Sequence, residues 1–97
     1  MATLSGAEAL GIDHQVGSLE VGKQADLVLL NADAPGLLGA LRPVEQLVYS
    51  AGPEHVESVY IQGQRVVQKG VVKGWEPTVE APKVRAAAKR VADRAFA

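Results

Sequence analysis

The sequence predicts an α+β fold: a small β-rich domain with a short N-terminal helix and a C-terminal amphipathic helix. Three observations carry this reading. Ala25-Asp26-Leu27-Val28-Leu29-Leu30 is an apolar run of strand length that ends in a turn cluster. Residues 56–68 are dense in β-branched and aromatic side chains around Gly63, the pattern of a hairpin. Beyond Pro82, apolar residues recur at helical spacing among basic ones.

Each element has its own signals. In residues 1–11, Leu4, Ala7 and Leu10 form an apolar helical row, and Gly11 is placed to end the helix in a left-handed cap. Ser5 with Glu8 has the form of a capping box, and Thr3 competes as N-cap. Residues 12–24 hold Gly17 and Gly22 with little periodicity and read as turns. The four apolar residues from Leu27 to Leu30 predict a strand covered on both faces. Asn31 to Gly36 is a turn cluster. Between Leu37 and Ser50, Pro43 starts either a short helix with Val44, Leu47 and Val48 on one face or precedes a strand over 46–49.

The hairpin runs Val56 to Ile61, turns at Gln62-Gly63-Gln64 and returns over Arg65 to Gln68. Gly63 supplies the positive φ that a tight turn demands. Val71-Val72, between Lys69-Gly70 and Lys73-Gly74, is a further short strand. Trp75 to Glu80 reads as a linker. From Pro82, Val84, Ala87, Ala88, Val91 and Ala95 make one helical stripe, with Lys83, Arg85, Lys89, Arg90 and Arg94 around it.

Composition bounds the chemistry. The chain has 97 residues, 47% hydrophobic but only 4% aromatic, so its core is built from small aliphatic side chains and its stability margin is thin. The net charge of −1 draws it toward neither nucleic acid nor an anionic membrane. The cysteine count is zero, which removes disulfides and thiolate metal sites. No apolar run approaches the ~20 residues of a membrane helix, and no leader is evident. A cytoplasmic protein is expected.

Gly17-Ser18-Leu19-Glu20-Val21-Gly22-Lys23-Gln24-Ala25-Asp26-Leu27-Val28 resembles a stretch of the amidohydrolase superfamily that lies just after the catalytic barrel. Ala2-Thr3 with Gly6-Ala7 and Ala9-Leu10-Gly11 resembles that family's last barrel helix. Leu47-Val48-Tyr49-Ser50-Ala51, followed by Val56, Val59, Gly63 and Val66, resembles its later hairpin. The wording is most similar to the branch of nucleobase deaminases and triazine chlorohydrolases. The resemblance covers residues 1–72 and implies a C-terminal segment: a barrel-helix remnant over 1–11, half of a β-sandwich over 12–74, then a linker and helix over 75–97. The family position before Ala-Thr is often Met, so Met1 fits an internal family position serving as a start, and equally a boundary chosen by an experimenter.

The resemblance further implies that zinc or iron is held by barrel residues lying before Met1: a His-x-His pair, two more histidines and an Asp. The chain's two histidines, His14 and His55, are over forty positions apart, outside any His-x-His, and read as exposed loop residues. Neither a Gly-x-Ser-x-Gly elbow nor a P-loop is present, and Ser18 and Ser50 lack a base placed by spacing. Glu54 and Glu57 read as solvated carboxylates. No catalytic, cofactor-binding or metal-binding residue is therefore assigned, and no cofactor is expected in this chain. The basic helix lacks the interleaved aromatics of a nucleic-acid surface, so nucleic acid is not expected as a partner.

The expected function is that of a non-catalytic amidohydrolase segment that self-associates as a homodimer or other homo-oligomer, because the family's sandwich takes strands from both sides of the barrel. The alternatives are a stand-alone binding module for a protein or ligand, and the accessory subunit of a split enzyme whose barrel half is encoded separately.

Overall fold

The computed structural model describes residues 2–39 and 41–97. Met1, on which the reading of the chain's start rests, lies outside the described residues. So does Ala40, within the ambiguous 37–50 stretch. The elements follow in the order α1 (Leu4–Leu10), β1 (Leu27–Leu30), α2 (Pro43–Tyr49), a 3-10 turn (Pro53–His55), β2 (Val56–Ile61), β3 (Gln64–Gln68), β4 (Val71–Val72) and α3 (Pro77–Ala95). This is the expected α+β domain with a helix at each end.

The four strands form one antiparallel meander in the order β1-β2-β3-β4. Turn chemistry sets its register. Gln62 and Gly63 have φ values of 51° and 77°, and Lys69 and Gly70 have 49° and 74°. Both two-residue turns thus place both residues in the left-handed region, the geometry whose twist matches paired strands. Gln64 belongs to β3 and not to the turn. Across the sheet, Val28 faces Val59, Val59 faces Val67 and Val67 faces Val72, so one face carries a continuous valine row.

Several expectations need correction. α1 begins at Leu4 after Thr3, with no side-chain cap, and Ser5 lies inside the helix, so no capping box forms. Gly11 does close the helix in the left-handed region, at φ 71°. Between the two readings of the later part of the 37–50 stretch, the helix holds: Pro43–Tyr49 forms α2, with Pro43 in its first turn, and 46–49 is not a strand. Residues 77–80 are helical and not linker. Pro77 starts α3, where a missing N–H costs nothing, while the Glu76 carboxylate accepts the Thr78 hydroxyl at 2.8 Å. Pro82 falls within the helix, where it lacks the N–H that would bond the Thr78 carbonyl.

The strand expected to be covered on both faces lies at a sheet edge, with Val28 54% and Leu29 48% exposed. Burial is sparse throughout. Among the described apolar residues only Ala7 and Leu37 are buried. No residue of α2 or α3 is buried. The Cα radius of gyration is 17.9 Å, against about 13 Å for a compact chain of this length. Among the described residues, the apolar faces of the sheet and helices are only partly covered within the chain.

Candidate functional site

Among the described residues, two clusters of polar side chains and an apolar concavity beside the sheet stand out. The first cluster surrounds His55, which is 2% exposed and not the exposed loop residue expected. Its Nδ1 accepts from the Gly52 amide at 2.9 Å, and its Nε2 donates to the Pro35 carbonyl at 2.7 Å. A donor on one side and an acceptor on the other fix the neutral ring with its proton on Nε2. The His55 carbonyl accepts from the Asn31 amide at 2.8 Å. One imidazole therefore ties the turn after β1 to the turn before β2. Gly36 packs against it: at φ 93°, a Cβ there would stand 3.2 Å from Nε2. Both ring nitrogens are committed to backbone, which makes His55 a clasp and not a ligand.

The second cluster lies on the stretch that carries the family resemblance. Lys23 Nζ donates to Ser18 Oγ at 2.7 Å and pairs with Glu20 at 3.1 Å, while the Ser18 hydroxyl donates to the Glu20 carboxylate. The Ser18 bond, with Lys23 beside it, holds the Glu20 carboxyl below its usual range. Spacing alone missed this grouping, since Gly22, at φ 94°, folds Lys23 back onto Ser18 and Glu20. Lys23 Nζ donates to Ser18 Oγ and the Ser18 hydroxyl donates to Glu20, so the geometry does not place Lys23 as a base toward Ser18. The cluster braces a turn. Asp26, four residues before the end of β1, does similar work: its Oδ1 accepts from the Gln62 amide at 2.7 Å, and the Ala25 carbonyl accepts from Gly63 at 3.0 Å. The tip of the β2–β3 hairpin is thereby fastened to the entry of β1.

The remaining residues singled out from sequence are not gathered into a site. His14 is exposed and lies 3.0 Å from the neighbouring Gln15 amide. The Glu54 carboxylate approaches His55 Nδ1 at 3.6 Å from the exposed side. In α3, Lys83 pairs with Glu80 and Lys89 with Asp93, so part of its basic character is neutralised locally. Among the described residues, no three His, Asp or Glu side chains come together as a metal group, and no helix is long and apolar enough to cross a membrane.

The apolar concavity, of about 620 Å³, opens beside the valine row, where Leu19, Val28, Leu30, Leu47, Val59 and Ile61 line it. It is broad and open, and its lining is mainly apolar.

With this geometry established, comparison with known proteins assigns the class. Residues 1–66, more than half of the chain, match the amidohydrolase family, and the chain belongs to that family. A protein of Moorella thermoacetica named 5-methylthioadenosine/S-adenosylhomocysteine deaminase is 41% identical over 73 residues, covering 75% of this chain and 17% of that protein. The deaminase of the same name from Acetivibrio thermocellus is 36% identical over 94 residues, 97% of this chain and 21% of that protein. The crystal structure of an adenosine deaminase from Xanthomonas campestris with bound zinc superposes with a TM-score of 0.86 at 34% identity, over 93% of this chain and 20% of that one. The chain thus spans about a fifth of the length of the proteins it matches.

Proposed function

We propose that this chain is the non-catalytic C-terminal segment of a zinc-dependent amidohydrolase that deaminates adenosine-type substrates. The superposition on a fifth of a zinc-bearing adenosine deaminase carries this reading. That match covers nearly the whole chain, so the disposition of its elements is one that a much larger enzyme also uses. On this reading the valine row, the concavity and the stripe of α3 are faces that the rest of the enzyme covers. The segment's own polar clusters brace turns, which is a structural and not a catalytic role.

On its own, the segment self-associates through its sheet, because an uncovered apolar face and an unpaired edge favour pairing between chains. The same superposition favours a second reading, an accessory subunit that docks on a separately encoded barrel. A cytoplasmic location accompanies both readings.

Incubation of the pure chain with zinc and 5-methylthioadenosine tests the inert role. No loss of the adenine amino group is expected, and steady turnover with stoichiometric zinc would contradict it. Sedimentation of the pure chain at micromolar concentration tests self-association, with a folded monomer as the contrary result.

A further inference from the structure

We infer that the outer edge of β1 is the surface through which two copies of this chain join, strand to antiparallel strand about a two-fold axis. This rests on the self-association reading above and says where it happens. The argument starts from a conflict between sequence and position. Leu27-Val28-Leu29-Leu30 is apolar on both faces, the composition of an interior strand, yet the meander leaves it at the margin. It has none of the devices that keep edges apart: no charge, no proline and no central bulge. The irregularity between Leu29 and Leu30 lies at its end.

Backbone direction fixes the pairing. Ala25 accepts from Gly63, and Asn31 donates to His55, so odd-numbered residues here turn their backbone groups toward the hairpin. The N–H and C=O groups of Val28 and Leu30 consequently point outward. A two-fold pairing of Val28 with Leu30 of a second copy, and of Leu30 with its Val28, satisfies these groups with four hydrogen bonds. Leu29 then meets Leu29 across the axis as a close, non-hydrogen-bonded pair. An antiparallel strand is its own complement under this symmetry, which is why a second copy fits the edge.

Charge selects this edge over the other. In the β1 pairing the nearest ionised group, Asp26, lies opposite Ala32 of the other copy, so the two Asp26 side chains stand about 20 Å apart. Each also accepts from its own Gln62 amide. The opposite edge, β4, is two residues long between Lys69 and Lys73, and pairing it with itself sets like charges face to face.

The chain has no cysteine, so a single introduced thiol reports the contact cleanly. Mild oxidation of Leu29→Cys should convert most of the protein to a covalent dimer, since a close antiparallel pair places its Cα atoms within disulfide range. Val72→Cys on the far edge should cross-link at no more than a tenth of that rate. In sedimentation, Leu29→Lys and Leu29→Asp should each be monomeric while an equimolar mixture returns to dimer. A dimeric wild-type protein whose Leu29→Cys form does not cross-link, or whose Leu29→Lys form stays dimeric with native circular dichroism, overturns the assignment to β1. A monomeric wild-type protein overturns the self-association reading itself.

Discussion

His55 holds two turns together with both ring nitrogens and its carbonyl. Truncation to Ala leaves the Gly52 amide and the Pro35 carbonyl without partners at a buried position, so His55→Ala should destabilise the fold by about 3 kcal/mol in urea titration. Asp26→Ala removes a single bond to the Gln62 amide and should cost about 1 kcal/mol by the same measurement. Glu20 gives a pH signature. Its folded carboxyl titrates below the usual range, so the native state holds fewer protons than the unfolded one just above that point. The brace therefore contributes fully above the unfolded carboxyl pKa and is lost as pH falls through the folded one. NMR titration of the Glu20 carboxyl should show the depressed midpoint, and Lys23→Met should move it back toward the ordinary value. Of these three residues, only Asp26 sits where local sequence points to its role, a short acceptor at the polar entry of an apolar strand. The burial of His55 was not legible, because its partner Pro35 lies twenty residues away and only the folded sheet brings the two turns together.

Among the elements, the hairpin was the most legible, since β-branched density and Gly63 both act over short range. Gln62 was the unread part of that turn, occupying a left-handed conformation at φ 51° that side chains other than Asn rarely favour. Gln62→Asn should raise stability by about 0.5 kcal/mol, seen as a higher midpoint of thermal unfolding. The helix α3 was read from Pro82 although it begins at Pro77. Two prolines five residues apart each qualify as a helix start, and local sequence does not choose between them. The choice came from Glu76 and Thr78, which cap the earlier one. Pro82→Ala restores a bond within the helix and should increase helical circular dichroism, with a local gain of up to about 3 kcal/mol.

At the scale of the whole molecule, family and position within the family were written in three sequence blocks, while the lack of internal cover was not. The four apolar residues of β1 indicate a covered strand, and so they describe the strand in its assembled setting and not in the isolated chain. The same holds for the Ala-Val stripe of α3, where Val84 and Val91 are 57% and 67% exposed. On the proposed reading, the segment contributes shape and cover to an enzyme whose chemistry lies in other residues. Replacing the matching fifth of the zinc-bearing adenosine deaminase with this chain tests that claim most directly. The account predicts a chimera that folds, retains its zinc and deaminates adenosine at a rate close to that of the intact enzyme. A chimera that folds and holds zinc yet has lost deamination would contradict it, by showing that this fifth carries a group the reaction needs.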